Sequence, residues 1–290
     1  HIIHLKGCER MPSLKVDSVK DIGGLADYLE KRFKMNVRNP FKLVVNKEDN
    51  CLIINIDKCI RKNGRKYLVT LNHLSDILAE YILKSYENNI LEKIISRVCD
   101  GLAKTDRDEI YRIACMRLYT HHERNMGNLI ESRRRLISAK IAEYLRSEDR
   151  IIIEGFVTFR LGEYVRNLEI EVERSIRQFF IERQYEEYIN LLTSFVKMQV
   201  PRVPELHVFV QDNGSYRVEG AKPFEIPEDI VNGFGFESSN PVIEDDDFMI
   251  GFLLTCAPVR IFIHNSIFFK NKELLNTIRI VFSECILLNE

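Results

Sequence analysis

Between Glu154 and Gln199 lies the densest regular apolar spacing in the chain, and no other stretch limits the fold as much. Val157, Leu161, Val165, Leu168, Val172, Ile176 and Phe179 follow in steps of three and four, which puts them on one face of a helix. Glu, Arg and Asn fill most of the intervening positions, as a solvated face requires. A second run, Tyr185, Tyr188, Ile189, Leu192, Phe195 and Val196, loses phase with the first across Glu182-Arg183-Gln184. The spacing predicts two helices or one kinked helix, with no Gly or Pro there to distinguish them. Pro201 and Pro204 end the pattern.

Around this helical centre the chain divides into three parts. Residues 1–103 read as an N-terminal α/β unit. Ile2-Ile3-His4-Leu5 is a short strand, and Asp17 or Ser18 caps a helix through Leu25, Tyr28, Leu29 and Phe33. Phe41–Val45 and Leu52–Ile56 flank a turn-rich segment and predict an antiparallel hairpin. A helix over Tyr67–Val98 completes the unit. Residues 104–204 are the central helical region. Thr105 with Asp108 begins a capping box, and Met126–Leu145 forms a helix with Leu129, Ile130, Leu136, Ile137, Ile141 and Tyr144 on one face. Arg133 falls inside that face, a charge where a core residue is expected.

Residues 205–290 are a C-terminal β-hairpin followed by an αβα unit. Leu206–Val210 and Tyr216–Val218 flank Asp212-Asn213-Gly214, where Asn-Gly predicts a type I′ turn. A long irregular loop covers 220–243. A helix over Asp246–Cys256, a strand over Val259–His264, a helix over Lys272–Phe282 and a last strand Cys285–Leu288 follow, with strands able to share the hairpin's sheet. The fold class is α+β, or mixed α/β.

Gly155-Phe156, Phe159-Arg160-Leu161 and Tyr164 resemble the central signature of the YtxC-like family of sporulation proteins. Tyr185-Glu186-Glu187-Tyr188-Ile189, Phe195-Val196 and Leu254-Thr255-Cys256-Ala257-Pro258 leading to Ile263-His264 extend the resemblance over residues 130 to 290. The resemblance implies a sporulation-associated protein of endospore-forming bacteria. It supplies no catalytic residues and no cofactor.

Several side-chain groups invite a chemical reading. Glu244-Asp245-Asp246-Asp247 offers carboxylate oxygens to a divalent metal, with His264 at a strand end as a further ligand or catalytic group. The same aspartates also suit a helix start, where they cap open N–H groups, and that reading is preferred. His121-His122-Glu123 lacks the spacing that sets two imidazoles on one helical face. Arg133, Arg134 and Arg135 form a basic patch that phosphate or an acidic protein would suit, without the interleaved aromatics that stack bases. Arg160 in the signature fits a tie to a carboxylate such as Glu154 or Glu163, or contact with a partner. No Ser-His-Asp set, P-loop or dinucleotide fingerprint is present.

A net charge of −1 provides no global drive toward nucleic acid or anionic membrane. Seven scattered cysteines without a Cys-x-x-Cys pair read as reduced thiols of a cytoplasmic protein. The longest apolar run, Phe248 to Val259, is too short for a bilayer, which needs about 20 residues, so no transmembrane segment is expected. The expectation is a cytoplasmic, non-enzymatic protein that needs no cofactor and acts through a protein partner. Arg133, Arg134, Arg135, Phe159, Arg160 and Tyr164 are its candidate interaction residues. The alternatives are a metal-dependent hydrolase or nuclease built on Asp245, Asp246, Asp247 and His264, and nucleic-acid binding through the basic helix.

Overall fold

The computed structural model describes residues 12–35, 40–46, 51–57, 59–60, 62, 64–119, 127–221, 226–238 and 240–288. The expected strand at Ile2–Leu5, the turn at 47–50, the His121-His122-Glu123 run and residues 222–225 of the long loop lie outside them. Two units divide the chain, His1–Phe179 and Phe180–Glu290. The sequence pattern places its boundaries at 103/104 and 204/205.

In the first unit the chain runs β1 (Ser13–Asp17), α1 (Ile22–Lys34), β2 (Phe41–Asn46), β3 (Cys51–Ile56), α2 (Arg65–Val98), α3 (Lys104–Tyr119), α4 (Gly127–Ser147), β4 (Arg150–Ile152), α5 (Ile153–Arg160) and the start of α6 (Gly162–Met198). The hairpin β2–β3 is antiparallel as expected, with Leu43 opposite Ile54. Asp21, rather than Asp17 or Ser18, caps α1 by accepting from the Gly24 N–H at 2.7 Å. Asp17 instead takes Arg150, and Ser18 turns to Glu154. The sheet order is β2-β3-β1-β4, and β4 joins β1 in parallel, pairing Val16 with Ile151. No period in the sequence marks this three-residue strand. The core collects Leu14, Val16, Leu52 and Ile54 from the sheet, and Leu74, Leu78 and Ile82 from α2.

Of the two alternatives at Glu182-Arg183-Gln184, one helix and not two spans that point, while a break that the spacing does not mark falls at Leu161. Helix α5 ends at Arg160, Leu161 leaves the helix, and α6 runs unbroken through Glu182-Arg183-Gln184 to Met198. Leu161 stays buried across the break, so the apolar spacing passes over it without a signal. Helix α3 starts at Lys104, which leaves Thr105 inside the first turn.

The second unit continues from α6 with β5 (Val203–Val210), β6 (Tyr216–Gly220), α7 (Glu228–Gly233), β7 (Val242–Ile243), α8 (Asp246–Cys256), β8 (Pro258–His264), α9 (Lys272–Val281) and β9 (Cys285–Leu288), with a short 3-10 turn at Ser266–Phe268. The sheet order is β7-β6-β5-β8-β9. Strands β5 and β6 pair antiparallel, while β8 lies parallel to both β5 and β9. Leu206, Val208, Val210, Ile261 and Ile263 alternate onto the face covered by Met249, Phe252, Leu253 and Ile278. The β5–β6 connection is not a type I′ turn. Of its central residues only Gly214 takes a positive φ, at 95°. Its N–H donates to the Gln211 carbonyl, and the Gln211 N–H donates to Ser215, which is a bulged closure. The 220–243 loop carries α7 and β7. Two mixed sheets with helices beside them make the architecture α+β. No helix among the described residues is long and apolar enough to cross a membrane.

Candidate functional site

The signature residues lie on α5 and the first turns of α6, where Glu154 fastens that stretch to the start of the chain. Its carboxylate accepts from the Ser18 hydroxyl at 2.9 Å, the Tyr86 phenol at 2.7 Å, and the N–H groups of Val19 and Lys20 at 3.0 Å each. Burial pushes the Glu154 carboxyl up. The Val19 N–H, the Tyr86 phenol and the Lys20 N–H outweigh it and hold the pKa at about 2. A carboxylate held so firmly ionised has no proton to donate near neutrality, so Glu154 acts as an anchor.

Tyr164 belongs to a second polar centre, deep in the helices. Its phenol donates to Glu87, which is fully buried on α2. The Tyr119 phenol from α3 donates to the same carboxylate. From α4, Arg133 donates through Nη2 at 3.3 Å, and its Nε lies 3.1 Å from the other oxygen at an angle too poor for a hydrogen bond. Four helices thus meet on one carboxylate. Burial, and then the Glu87 charge, push the Tyr164 phenol well above its ordinary pKa, and the Tyr119 phenol shifts the same way for the same reasons. Both therefore remain neutral donors. The charge that stood out in the α4 stripe is one half of a buried pair.

Beside Glu154 opens a half-open cavity of about 390 Å³ between α2 and the α5–α6 stretch. Its apolar lining is Ile90, Ile94, Val157 and Val165, and its cationic lining is Lys20, Lys93 and Arg97. Arg97 pairs with Glu169, and Lys20 lies 5.6 Å from the Tyr86 ring centroid. Phe159, which follows the lining residues Val157 and Thr158 on α5, is 82% exposed. Arg160 is exposed too and stacks over the Tyr144 ring at 5.7 Å. That ring takes the place of the carboxylate tie expected to Glu154 or Glu163.

Elsewhere on α4, Arg134 pairs with Asp76 and Glu131, and Arg135 pairs with Glu131. In the second unit Asp245 caps α8, accepting from the N–H groups of Asp247 and Phe248 at 2.9 Å each. Asp246 accepts from the Tyr216 phenol and the Asn271 amide. His264 is not brought to these aspartates. It sits on the opposite face of the sheet, 2.9 Å from a His207 ring nitrogen and stacked on Phe209. No group of three or more metal-binding side chains gathers among the described residues. Glu87 and Lys93 were not singled out from sequence. Glu87 had a usable signal, since it stands four residues before Leu91 and seven before Ile94 in the buried stripe of α2.

These residues sit within a known family. A model described as the YtxC-like family matches residues 72–286, and the chain belongs to that family. Among curated proteins, it is similar to the Uncharacterized protein YtxC of Bacillus subtilis (strain 168), with 26% identity over 143 residues. That alignment covers 47% of this chain and 48% of the relative, so the chain spans about half the length of the curated relative it matches. No solved structure matches.

Proposed function

We propose that this is a sporulation-associated, cytoplasmic, non-enzymatic protein that works by holding a protein partner on its signature surface. The observation that carries the reading is Phe159, a large apolar side chain 82% exposed in the middle of the signature. Ile152, 43% exposed, and Val19, 78% exposed, flank the same anchor residue, Glu154. Exposed apolar groups on segments joined by a rigid tie supply a contact surface where they form one patch. The family resemblance supports the link to sporulation. Two of the thiols do not favour a nucleophile: burial raises Cys256 to about 12 and Cys285 to about 11. Arg133, Arg134 and Arg135 pair with carboxylates within the chain, and Asp245 and Asp246 accept hydrogen bonds within it.

The test is Phe159→Ser in an endospore-forming host, together with a photoreactive phenylalanine analogue at position 159. The substitution should shift stability by no more than about 0.5 kcal/mol, as surface changes do. Heat-resistant spore counts should fall, and the photoreactive chain should yield a discrete protein adduct in sporulating cells. Wild-type spore counts together with no adduct would refute the reading.

A further inference from the structure

The geometry points to the groove beside Glu154 as the seat of an acidic amphipathic helix supplied by the partner. This inference rests on the interaction reading above and names the chemistry of what is held.

The groove follows α2 from Tyr86 to Arg97, about 16 Å of helix at 1.5 Å per residue. That length matches about three turns of a docked helix. The groove walls are mostly helix, whose interior backbone N–H and C=O groups are already paired. They offer an extended peptide no ladder to join. An occupant that satisfies its own backbone and presents an apolar stripe meets this restriction, and a helix does so. Ile90, Ile94, Val157 and Val165 provide the apolar floor for such a stripe.

Charge fixes the sign of the occupant. Lys20, Lys93 and Arg97 line the groove. Arg97 is engaged by Glu169, while Lys20 and Lys93 form no ion pair among the described residues. The Glu154 carboxylate, whose four donors are all neutral, keeps its negative charge, so with Arg97 paired to Glu169 the lining carries one net positive charge from Lys20 and Lys93. Two ammonium groups beside an apolar floor suit carboxylates placed on either side of a leucine-type stripe. Tyr86 is the one aromatic ring of the lining, and its phenol is turned to Glu154. Among the described residues the lining therefore offers no run of stacking faces for bases.

The experiment places the photoreactive phenylalanine at Asn89, which lines the groove, at Phe159, and at the exposed control position Asp108 on α3. Each full-length chain is irradiated in sporulating cells, and adducts are mapped by mass spectrometry. Positions 89 and 159, but not 108, should capture one protein. The segment joined to position 89 should carry apolar residues at helical spacing and a net negative charge. Adding Lys93→Glu should lower the yield at 89 by about fivefold, the size of one exposed ion pair, with the thermal midpoint unchanged. An adduct at 159 without one at 89 would overturn this inference and leave the interaction reading standing. An adduct at neither position would overturn both. A nucleic acid, a lipid or a segment without acidic helical patterning at 89 would overturn the inference, as would a yield indifferent to Lys93→Glu.

Discussion

Replacing Arg133 by Met should be among the most damaging single changes in the first unit. Met keeps much of the arginine stem's volume and its helix propensity, so the loss is that of the charge and its hydrogen bond. The Glu87 carboxylate would then remain fully buried with two phenols and no cation. Removing one partner of a buried ion pair typically costs about 3–5 kcal/mol. With a urea slope of about 2 kcal/mol per molar, the midpoint of the transition that reports the first unit should fall by about 1.5–2.5 M. The chain has no Trp, so far-ultraviolet circular dichroism is the natural reading. The decisive comparison is the double variant Glu87→Gln with Arg133→Met. A neutral amide can accept from one phenol and donate to the other, and no unpaired charge is left inside. The double variant should therefore be about 2 kcal/mol less destabilised than Arg133→Met alone. The reasoning fails if Arg133→Met stays within about 0.5 kcal/mol of wild type, or if the double variant is the worse of the two.

Glu154 should make stability depend on acid. Its folded pKa of about 2 lies below the ordinary 4.5, so its contribution is present above about 4.5 and fades as pH falls toward 2. Glu154→Gln should flatten that part of the urea midpoint against pH. At the alkaline end, the raised Tyr164 and Tyr119 phenols contribute stability that is complete below 10 and lost as pH climbs beyond it. Absorbance at the phenolate band should show those two tyrosines titrating only as the chain unfolds. Asp245→Ala should cost about 0.5–2 kcal/mol through the lost α8 cap, equally in EDTA and in Mg²⁺; a metal-dependent difference would make Asp245 a ligand. Gly214→Ala should cost about 1–2 kcal/mol in unfolding measurements from its positive φ alone, and an unchanged midpoint would contradict the bulged closure.

Where contacts are local, the sequence was readable. The β2–β3 hairpin, the long α2 and the α8–β8–α9–β9 succession all announce themselves by period and by turn residues within a dozen positions. Arg133 was visible as a misplaced charge because it interrupts a regular stripe. Its partner Glu87 interrupts the α2 stripe in the same way, but it hides in the polar run Glu87-Asn88-Asn89. Strand β4 escaped because three residues carry no period and their pairing comes from β1, more than a hundred positions away. The break at Leu161 escaped for the opposite reason, since burial continues through it. Whether Phe159 would be exposed could not be read either: its spacing from Phe156 suits a core as well as a surface, and only packing decides.

The parallel pairing of β1 with β4 also sets an order of events during synthesis. Ser18 and Glu154 are 136 positions apart. At roughly 5–20 residues per second, the ribosome takes about 7–27 seconds to go from one to the other. Through that interval the nascent hairpin β2–β3 can already hold one side of β1, while the other side shows bare N–H and C=O groups to every neighbouring chain. Lys15, pointing outward from the middle of β1, places a charge on that waiting edge. Crowded polysomes would punish its replacement by an apolar residue through aggregation of unfinished chains, well before any finished molecule registered a change in stability.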